Sequence, residues 1–255
     1  MYHAASFAFS GRAVAVFGKK AAGTLISGGT VVYLEPRNTP AQESAMGKHK
    51  VLNTPAIRRI PTYLHKLMLM HAAGEEFLTS SKLEDYRDRD PIMVRKDFEL
   101  TGIQGTPGVG CKTKELIAAL RRFLGWNEQT TACLVGAGSL GNALLGYEEF
   151  AEYGLRFTYV FDADPRKHGT MIHAHEVLDV RQMHKVLKLA PPDIGIICVP
   201  SSVAQMVAEE LVKCRVKAIW NFANVCLKLP HDVIVQREVI AGGFALLSMK
   251  RRSHS

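Results

Sequence analysis

The stretch Cys133–Phe150, CLVGAGSLGNALLGYEEF, decides the fold class of this chain. A short apolar run ends in a glycine-rich turn, and the turn leads directly into a helical pattern. Gly136, Gly138 and Gly141 have the spacing G-x-G-x-x-G, which predicts a dinucleotide-binding unit when it joins a strand to a helix. The first glycine permits the tight turn, the second lets a pyrophosphate approach the backbone, and the third lets the helix pack on the strand.

The residues that follow the turn predict a parallel sheet. Short apolar strands alternate with amphipathic helices through residues 127–239, a pattern typical of a parallel sheet covered by helices. Asp162 ends the second strand about 20 residues after the turn, where a carboxylate accepts hydrogen bonds from ribose hydroxyls. Asp162 and Asp164 would repel a phosphate on that ribose. The pattern therefore favours NAD(H) over NADP(H).

Residues 47–126 predict a winged helix-turn-helix. They contain the helical pattern TPAIRRIPTYLHKLMLM, a short second helix after a Ser81-x-x-Glu84 capping box, the helix PIMVRKDFEL, the glycine-rich hairpin TGIQGTPGVG and the closing helix TKELIAALRRFL. In such a module one helix enters the DNA major groove and the hairpin reaches the backbone or the minor groove. A helical substrate domain or dimerisation domain remains an alternative interpretation of the same pattern.

The apolar positions of these helices predict the core of the module. The positions expected to face inward are Ile57, Ile60, Leu64, Leu67 and Met68 in the first helix, Ile92, Val94 and Phe98 in the third, and Leu116, Leu120 and Phe123 in the closing helix.

The positive charge of the chain is concentrated in this module. The net charge is +8, and residues 48–126 hold 14 Lys and Arg against 9 Asp and Glu, whereas residues 127–255 hold 14 against 13. The basic excess lies where a DNA-binding module needs it. No apolar run approaches the roughly 20 residues that span a bilayer, so no membrane segment is expected. The five scattered cysteines favour buried thiols in a reducing cytoplasm over disulfides or zinc ligands.

Residues 1–46 have strand-like apolar patches, little charge and no secretory signal, and they are predicted to form a poorly ordered extension. Organised sequence begins after Met46, which leads to the hypothesis that Met46 is the authentic start of the protein.

The sequence favours a sensor over an enzyme. A dehydrogenase needs a proton donor near the nicotinamide and a substrate domain. His168, His173, His175 and His184 fall in or beside the second crossover, but none has an obvious orienting partner, and no second catalytic domain follows. No catalytic residue and no metal site are therefore predicted. The alternatives are an NAD-dependent oxidoreductase with a helical cap, and a nucleotide-binding module that acts through protein partners.

Residues 53–248 resemble the Rex family of redox-sensing repressors. The resemblance rests on AIRRIPTYL, VRKDF, TGIQGTPGVG, LVGAGSLGNALL, FDADPRKHG, DIGIICVPSSVAQMVAEELV and NFANVCLKLP, which occur in the family's order. It implies an α/β chain with an N-terminal winged helix-turn-helix, a Rossmann-like NAD(H)-binding domain over residues 127–239, and a C-terminal helix within residues 240–255 that swaps into the partner of a homodimer. It also implies a cytoplasmic repressor of fermentation and respiration genes, which binds a double-stranded DNA operator at a low NADH/NAD⁺ ratio and releases it when NADH binds.

The resemblance also assigns site residues. Arg58, Arg59 and Tyr63 would belong to the DNA-facing first helix, Arg95 and Lys96 to the recognition helix, and Lys112 to the phosphate contacts. The positions expected to contact NAD(H) are Gly136, Gly138, Ser139, Leu140, Gly141, Asp162, Val199, Pro200, Asn221 and Phe222.

Three departures from the family pattern concern the link between cofactor and DNA. Cys111 stands where the family usually has a tyrosine that couples cofactor state to domain rotation, and Glu238 stands in place of its acidic partner, an aspartate. Pro107 replaces an arginine of the wing. A thiol lacks the reach and hydrogen bond of a phenol, so the NADH response is expected to be altered. A further hypothesis is that Lys112 and Lys114 lower the pKa of Cys111 and make it redox-active.

Overall fold

A computed structural model describes residues 7–9, 12–14, 24–27, 30–33, 54–78, 82, 91–106 and 109–253. The chain divides into two compact units, Met1–Asn53 and Thr54–Ser255. In the first unit, β1 (Phe7–Phe9) pairs with β2 (Arg12–Val14) and β3 (Thr24–Ser27) pairs with β4 (Thr30–Tyr33), both antiparallel. Most of the predicted extension, Met46, the Ser81–Glu84 capping box with its short helix, and Pro107 lie outside the described residues.

The winged-helix part of the second unit contains three described helices and two short strands. They are α1 (Thr54–Ala72), β5 (Phe77–Leu78), α2 (Pro91–Glu99), β6 (Cys111–Lys112) and α3 (Thr113–Leu124). β5 pairs with β6, and a tight turn between Thr106 and Gly110 precedes β6, with backbone hydrogen bonds of 2.9 and 2.8 Å in both directions. This turn confirms the glycine-rich hairpin predicted from TGIQGTPGVG.

One apolar core joins α1, α2 and α3. Residues spaced by three or four along each helix meet in it: Ile60, Leu64 and Leu67 from α1, Val94 and Phe98 from α2, and Leu116 and Leu120 from α3. Two core predictions are wrong, because Ile92 and Phe123 are exposed. Ile92 lies two residues from Val94 and therefore points to another side of the helix. In α3 the inward positions recur every four residues, at Leu116, Leu120 and Leu124, so Leu124 packs against the core in place of Phe123.

The rest of the second unit is a seven-stranded sheet with helices. The elements are β7 (Thr130–Val135), α4 (Ser139–Leu145), α5 (Glu149–Glu152), β8 (Leu155–Asp162), β9 (Met171–Ile172), β10 (His175–Asp179), α6 (Met183–Leu189), β11 (Ile194–Ile197), α7 (Ser201–Lys213), β12 (Ala218–Asn221), β13 (Ile234–Arg237) and α8 (Ala241–Ser253). The strand order is β13-β12-β11-β7-β8-β10-β9, and every neighbouring pair is parallel except β10 with β9.

The predicted parallel sheet is confirmed, with differences in its smaller elements. β9, β10 and β13 were not predicted: β9 has only two residues, and β10 and β13 are short and carry polar residues that mask an apolar strand pattern. The helix expected to run from the turn to Gly154 is divided into α4 and α5 around Gly146.

The strand order places a switch point between β7 and β11. The chain proceeds from β7 to β8 and β10 on one side, then crosses to β11, β12 and β13 on the other. Cys133 and Val135 pack with α6 and α7 on one face, whereas Ala132 and Leu134 pack with α4 on the opposite face. Ligands of open α/β sheets bind beyond the carboxyl ends of the strands at such a point. The glycine turn that follows Val135 lies there.

Candidate functional site

The glycine turn is held by packing on two sides and is open on the third. Gly136 has φ +103°, and a β-carbon there would lie 2.6 Å from the carbonyl oxygen of Cys198, at the end of the neighbouring strand. A β-carbon at Gly141 would overlap the carbonyl oxygen of Gly136. At Gly138 a β-carbon would meet nothing within 4 Å. The first and third glycines are therefore needed by the fold, and the second leaves free space at the start of α4.

The N-terminus of α4 faces this free space. Gly138 caps the helix in an extended conformation, and Ser139 and Leu140 form its first turn. The first N–H groups of a helix have no partner within the helix and carry partial positive charge, so they can bind a phosphate. The turn thus has the shape and the donors that a pyrophosphate requires.

Asp162 is part of the turn's own structure. It is only 8% exposed, and its Oδ2 accepts a hydrogen bond of 2.8 Å from Ala137 N–H and one of 2.9 Å from Lys167 Nζ. Its Oδ1 accepts a further bond of 2.8 Å from Asp164 N–H. Burial raises the pKa of Asp162, but these hydrogen bonds outweigh it, and the net pKa lies below the usual value. The carboxylate is charged at neutral pH and ties the turn to the end of β8.

From the sequence, Asp164 was expected only to repel a ribose phosphate and Lys167 was not singled out, but both lie at the turn and are functional candidates. Lys167 Nζ also donates a hydrogen bond of 3.1 Å to Ala137 O, which brings a cation to the turn although the residue lies five positions after Asp162. Asp164 is more accessible than Asp162 and pairs with Arg166, which lowers the Asp164 pKa to about 2. The 3₁₀ turn Pro165–Lys167 folds Lys167 back, and this local turn is not visible in a strand–helix pattern.

Val199, Pro200, Asn221 and Phe222 follow the ends of β11 and β12, on the opposite side of the switch point from Asp162. Asn221 is fully buried, and its amide is satisfied there: Nδ2 donates to Val225 O at 3.0 Å and Oδ1 accepts from Ala223 N–H at 2.9 Å. The Asn221 side chain shapes the loop after β12. Both of its polar groups are used within that loop, and a direct contact of Asn221 with a cofactor stays a prediction.

Phe222 belongs to an apolar cleft next to the switch point. The cleft has a volume of about 480 Å³ and is lined by Ala143, Leu144, Tyr147, Phe150, Trp220, Phe222, Glu238, Val239 and Ile240. Glu238 is held at its edge by Gln236 Nε2, at 3.0 Å, and by Trp220 Nε1, at 3.4 Å. The cleft joins α4 to the segment that leads into α8.

The predicted DNA-binding residues divide into an internal pair and an exposed group. Arg59 donates two hydrogen bonds of 2.7 Å to Asp97 on α2, and Tyr63, only 1% exposed, donates one of 3.0 Å to the same carboxylate. The prediction that Tyr63 faces DNA is wrong, because its ring lies in the core against Phe98, with ring centroids 5.6 Å apart. Asp97 was not predicted from the sequence; its only signal there is an acidic residue directly before core Phe98. The network fixes α2 against α1.

The exposed group consists of Arg58 on α1, Arg95 and Lys96 on α2, and Lys112 on β6. Lys112 pairs with Glu115 at 3.0 Å, and both side chains are well exposed. These cations lie on the helices and the strand that a winged helix presents to DNA. Their accessibility suits contacts with phosphates or base edges.

Cys111 packs against the core of the winged-helix part. Burial, and secondly the charge of Glu115, raise the pKa of its thiol. The hypothesis that Lys112 and Lys114 make it a reactive thiolate is therefore wrong.

A polar junction connects α1 to the sheet through Glu149. Its Oε2 accepts hydrogen bonds from Tyr147, at 2.6 Å, and Tyr153, at 2.9 Å, and lies 3.8 Å from His65 Nδ1 on α1. The two tyrosine hydrogen bonds lower the pKa of Glu149. Tyr153 also stacks on Trp126, at 4.6 Å between ring centroids. Because Tyr147 lines the apolar cleft, the junction contacts both the cleft and α1.

Comparison with known proteins identifies the family. The family model "CoA binding domain" matches residues 127–225, and the model "Putative DNA-binding protein N-terminus" matches residues 53–99. The redox-sensing transcriptional repressor Rex of Treponema denticola is 42% identical over 204 residues, which cover 80% of this chain and 97% of that protein. The chain belongs to the Rex family. The Rex of Clostridium beijerinckii is 37% identical over 75% of this chain and 90% of that repressor.

Solved structures of a Rex repressor have the same fold. RSP in complex with β-NAD⁺ and operator DNA superposes with a TM-score of 0.72 at 30% identity, covering 81% of this chain and 95% of RSP. RSP in complex with β-NADH gives a TM-score of 0.70 at 30% identity, covering 81% and 97%. These similarities confirm the predicted α/β architecture of a winged helix and a Rossmann-like sheet. Among the helices that the structure describes, none combines the length and apolarity needed to cross a membrane.

Proposed function

We propose that this chain is a transcriptional repressor that binds operator DNA at a low NADH/NAD⁺ ratio and releases it when NADH binds. One observation carries this proposal: the chain combines an open glycine turn, at the switch point of its sheet, with a winged helix that has exposed cations. The Rex family membership and the two ligand complexes of RSP support the same assignment. Such a repressor acts in the cytoplasm, where its DNA is.

The carboxylates beyond β8 support NAD(H) as the ligand. Gly138, Ser139 and Leu140 would bind the pyrophosphate, and Asp164 would accept hydrogen bonds from the adenosine ribose while Asp162 keeps the turn in place. NADP(H) and coenzyme A each carry a phosphate on that ribose, which the two carboxylates would disfavour; Lys167 and Arg166, paired with them, reduce this repulsion. The family model's name mentions CoA, and direct competition between the nucleotides is therefore part of the test.

The winged helix would bind the operator mainly through its cations. Arg58 and Lys112 would contact phosphates, whereas Arg95 and Lys96 on α2 would contact or position bases in the major groove. Arg59 would act as a positioning residue, because its guanidinium is engaged by Asp97 and holds α2 in place. Phosphate contacts release counterions, so the affinity should fall steeply with salt.

We further propose that α8 forms a homodimer by docking on the partner subunit. None of the residues in Ala241–Ser253 is buried, and Ile240, Phe244 and Leu247 are each at least 65% exposed. A contiguous apolar surface of this kind marks an interface in a native protein. A second copy would cover it and would supply two winged helices for two half-sites of a palindromic operator.

Coupling between cofactor and DNA in this chain would run through the Glu149 junction. Cys111 cannot form the hydrogen bond of the tyrosine that the family usually has there, since it is packed in the winged-helix core. Glu149 instead joins Tyr147, at the apolar cleft, to His65 on α1. A ligand that changes the cleft and the junction would shift the balance between two orientations of the winged helix, by no more than its differential affinity for them.

The geometry gives the oxidoreductase alternative no support. Two of the described histidines have structural partners: His168 Nε2 bonds to Asp162 O at 3.0 Å, and His184 on α6 pairs with Glu210 on α7 at 2.7 Å. Burial, with the neighbouring charge of His173, lowers the pKa of His175. We therefore propose that the bound nucleotide is a signal and is not consumed.

The decisive experiment is a gel-shift assay on a duplex from the chain's own upstream region, with no ligand, NAD⁺, NADH or coenzyme A. We expect retardation without ligand and with NAD⁺, and release by NADH alone. Arg95→Ala should abolish retardation and leave the NADH affinity, measured by fluorescence titration, unchanged. The control Lys217→Ala also removes one exposed positive charge, next to β12 in the sheet, and should retain both DNA retardation and NADH affinity. Turnover of NADH with small carbonyl compounds, or indifference to DNA at every salt concentration, would overturn the proposal.

A further inference from the structure

Three potential metal ligands meet on the face of the sheet that α6 and α7 cover. His184 lies in the first turn of α6, Glu210 in the last turn of α7, and Cys214 at the C-cap of α7. The His184 Nδ1 atom is 2.7 Å from Glu210 Oε1 and 3.7 Å from Cys214 Sγ, and all three donor atoms lie within 4.8 Å of one another. None of these residues takes part in the dinucleotide turn, the apolar cleft or the winged helix.

The positions of the three residues follow from the helices. Glu210 and Cys214 are four residues apart and therefore share one side of α7. Cys214 is 2% exposed and is fixed by the core, whereas the side chains of His184 and Glu210 are partly exposed. A site with this arrangement has one rigid buried donor and two donors that can adjust, and one side of it opens to solvent.

The distances from His184 to its two neighbours are near those around a zinc-sized ion. With a Zn–N distance near 2.0 Å and a Zn–S distance near 2.3 Å, a tetrahedral site separates the nitrogen and sulfur ligands by about 3.6 Å. The observed separation of 3.7 Å needs almost no change. The nitrogen and oxygen ligands would be about 3.3 Å apart, so the partly exposed Glu210 carboxylate must move back by several tenths of an ångström.

We propose that His184, Glu210 and Cys214 form a binding site for Zn²⁺ or a similar divalent transition metal, with the fourth position taken by water. Thiolate and imidazole ligands select this class over Mg²⁺ or Ca²⁺, which prefer oxygen ligands. Binding releases the thiol proton of Cys214 to solvent and leaves His184 neutral, since both must ligate through lone pairs. Lys213 contacts the other carboxylate oxygen, Oε2, at 3.3 Å, and does not occupy the atom that faces the metal.

The ion would join α6 to α7. The two helices pack on the same face of the sheet and connect β10, β11 and β12, the strands around the crossover. A metal bridge between them would stabilise this half of the sheet without changing the glycine turn. The prediction from sequence that the cysteines are not zinc ligands would then be wrong for Cys214.

The test uses the full chain, stripped of metal with a chelator and titrated with Co²⁺ under reducing conditions. We expect one equivalent per chain with a thiolate-to-cobalt charge-transfer band and tetrahedral visible bands, all displaced by Zn²⁺. Cys214→Ser should remove the charge-transfer band, whereas Cys226→Ser, which changes an exposed cysteine elsewhere, should keep it. His184→Gln should weaken Co²⁺ binding by tenfold or more, and because His184 is half-exposed this variant should fold normally.

Circular dichroism of the metal-free variants checks that each one is folded. No charge-transfer band in the wild type, or an unchanged affinity in both folded Cys214→Ser and folded His184→Gln, would overturn the site. If Cys214→Ser does not fold, the His184→Gln result decides by itself. The response to NADH should persist after metal removal, so failure of this site and failure of the proposed repressor function give different results.

Discussion

Gly138 and Gly141 have the same residue type but different structural roles, and alanine substitution should separate them. A methyl group at Gly138 would enter the open space at the start of α4, whereas one at Gly141 would overlap a backbone carbonyl oxygen and lie 3.0 Å from Leu134 Cδ2. Gly138 has φ −79°, which alanine adopts without strain. We therefore expect Gly138→Ala to weaken NADH binding in a stable protein and Gly141→Ala to weaken the fold.

The magnitudes follow from these contacts. Overpacking a core costs about 1–3 kcal/mol, and the Gly136 carbonyl cannot rotate away as a side chain would, so Gly141→Ala should lose about 3 kcal/mol of unfolding free energy. Gly138→Ala replaces a helix N-cap glycine by a poorer cap, which costs about 0.5–1 kcal/mol. Its methyl group would displace a pyrophosphate from the N–H groups of α4. A loss of one charge-assisted hydrogen bond, about 1.5–3 kcal/mol, corresponds to an NADH affinity lowered roughly 10- to 100-fold.

Two measurements on the full chain test this pair of variants. Urea unfolding followed by circular dichroism gives the loss of stability, and NADH fluorescence titration gives the affinity, both at fixed protein concentration. If Gly138→Ala binds NADH as tightly as the wild type, the open space at the turn is not the pyrophosphate site. If Gly141→Ala is as stable as Gly138→Ala, the close packing between α4 and the turn is not present in solution.

Three further predictions concern the winged helix, its junction and the dimer. Arg59→Ala leaves the buried Asp97 carboxylate without two hydrogen bonds and should lower the urea unfolding free energy by about 2–3 kcal/mol. Arg58→Ala, at an exposed residue, should change that free energy by less than about 0.5 kcal/mol and should weaken operator binding instead. Equal losses of stability in the two variants would refute the network. In gel-shift titrations, the operator affinity without NADH is compared with the affinity with NADH, and Glu149→Gln should reduce the ratio of the two by about three- to tenfold. Glu148→Gln, at an exposed residue, is the control and should leave the ratio unchanged. An unchanged ratio in Glu149→Gln would exclude this junction from coupling. Phe244→Asp should give a monomer in light scattering, since a charge on the apolar side of α8 opposes its burial, and a persistent dimer would show that α8 is not the interface.

The sequence predicted the elements whose patterns are strong, and it failed where contacts between elements decide. The turn Gly136–Gly141 and its two flanking elements are confirmed because strand, glycines and helix are adjacent in the chain. Tyr63 was placed on the DNA surface by the family resemblance, but only the position of α2 shows that its hydroxyl bonds to Asp97. β10 was missed because its five residues include His175, Glu176 and Asp179 among the apolar ones, and parallel pairing with β8 stabilises it nonetheless.

The candidate site was only partly predictable for the same reason: a pattern along the chain does not show the contacts between elements. Gly138 and Asp162 occupy positions that the motif fixes, but a motif does not show which atoms are already used. Both carboxylates have partners, Asp162 with Ala137 and Lys167 and Asp164 with Arg166, but the Asp164 side chain is 24% exposed against 11% and is more accessible to a ribose. Lys167 reaches the turn through a 3₁₀ turn of three residues, which has no periodicity to recognise.

A redox switch of this kind needs a rigid ligand site and a junction that is easily shifted. The glycine turn and the Glu149 junction differ in rigidity in this sense. The turn is fixed by backbone contacts of Gly136 with Cys198 and by the buried carboxylate of Asp162. The junction at Glu149 consists of a few polar contacts at the surface, the one to α1 as long as 3.8 Å. Under the coupling that we propose, substitutions at the junction would retune the NADH response and leave the nucleotide site and the DNA-binding surface intact. Such a junction would allow Cys111 to stand where the family usually has a tyrosine.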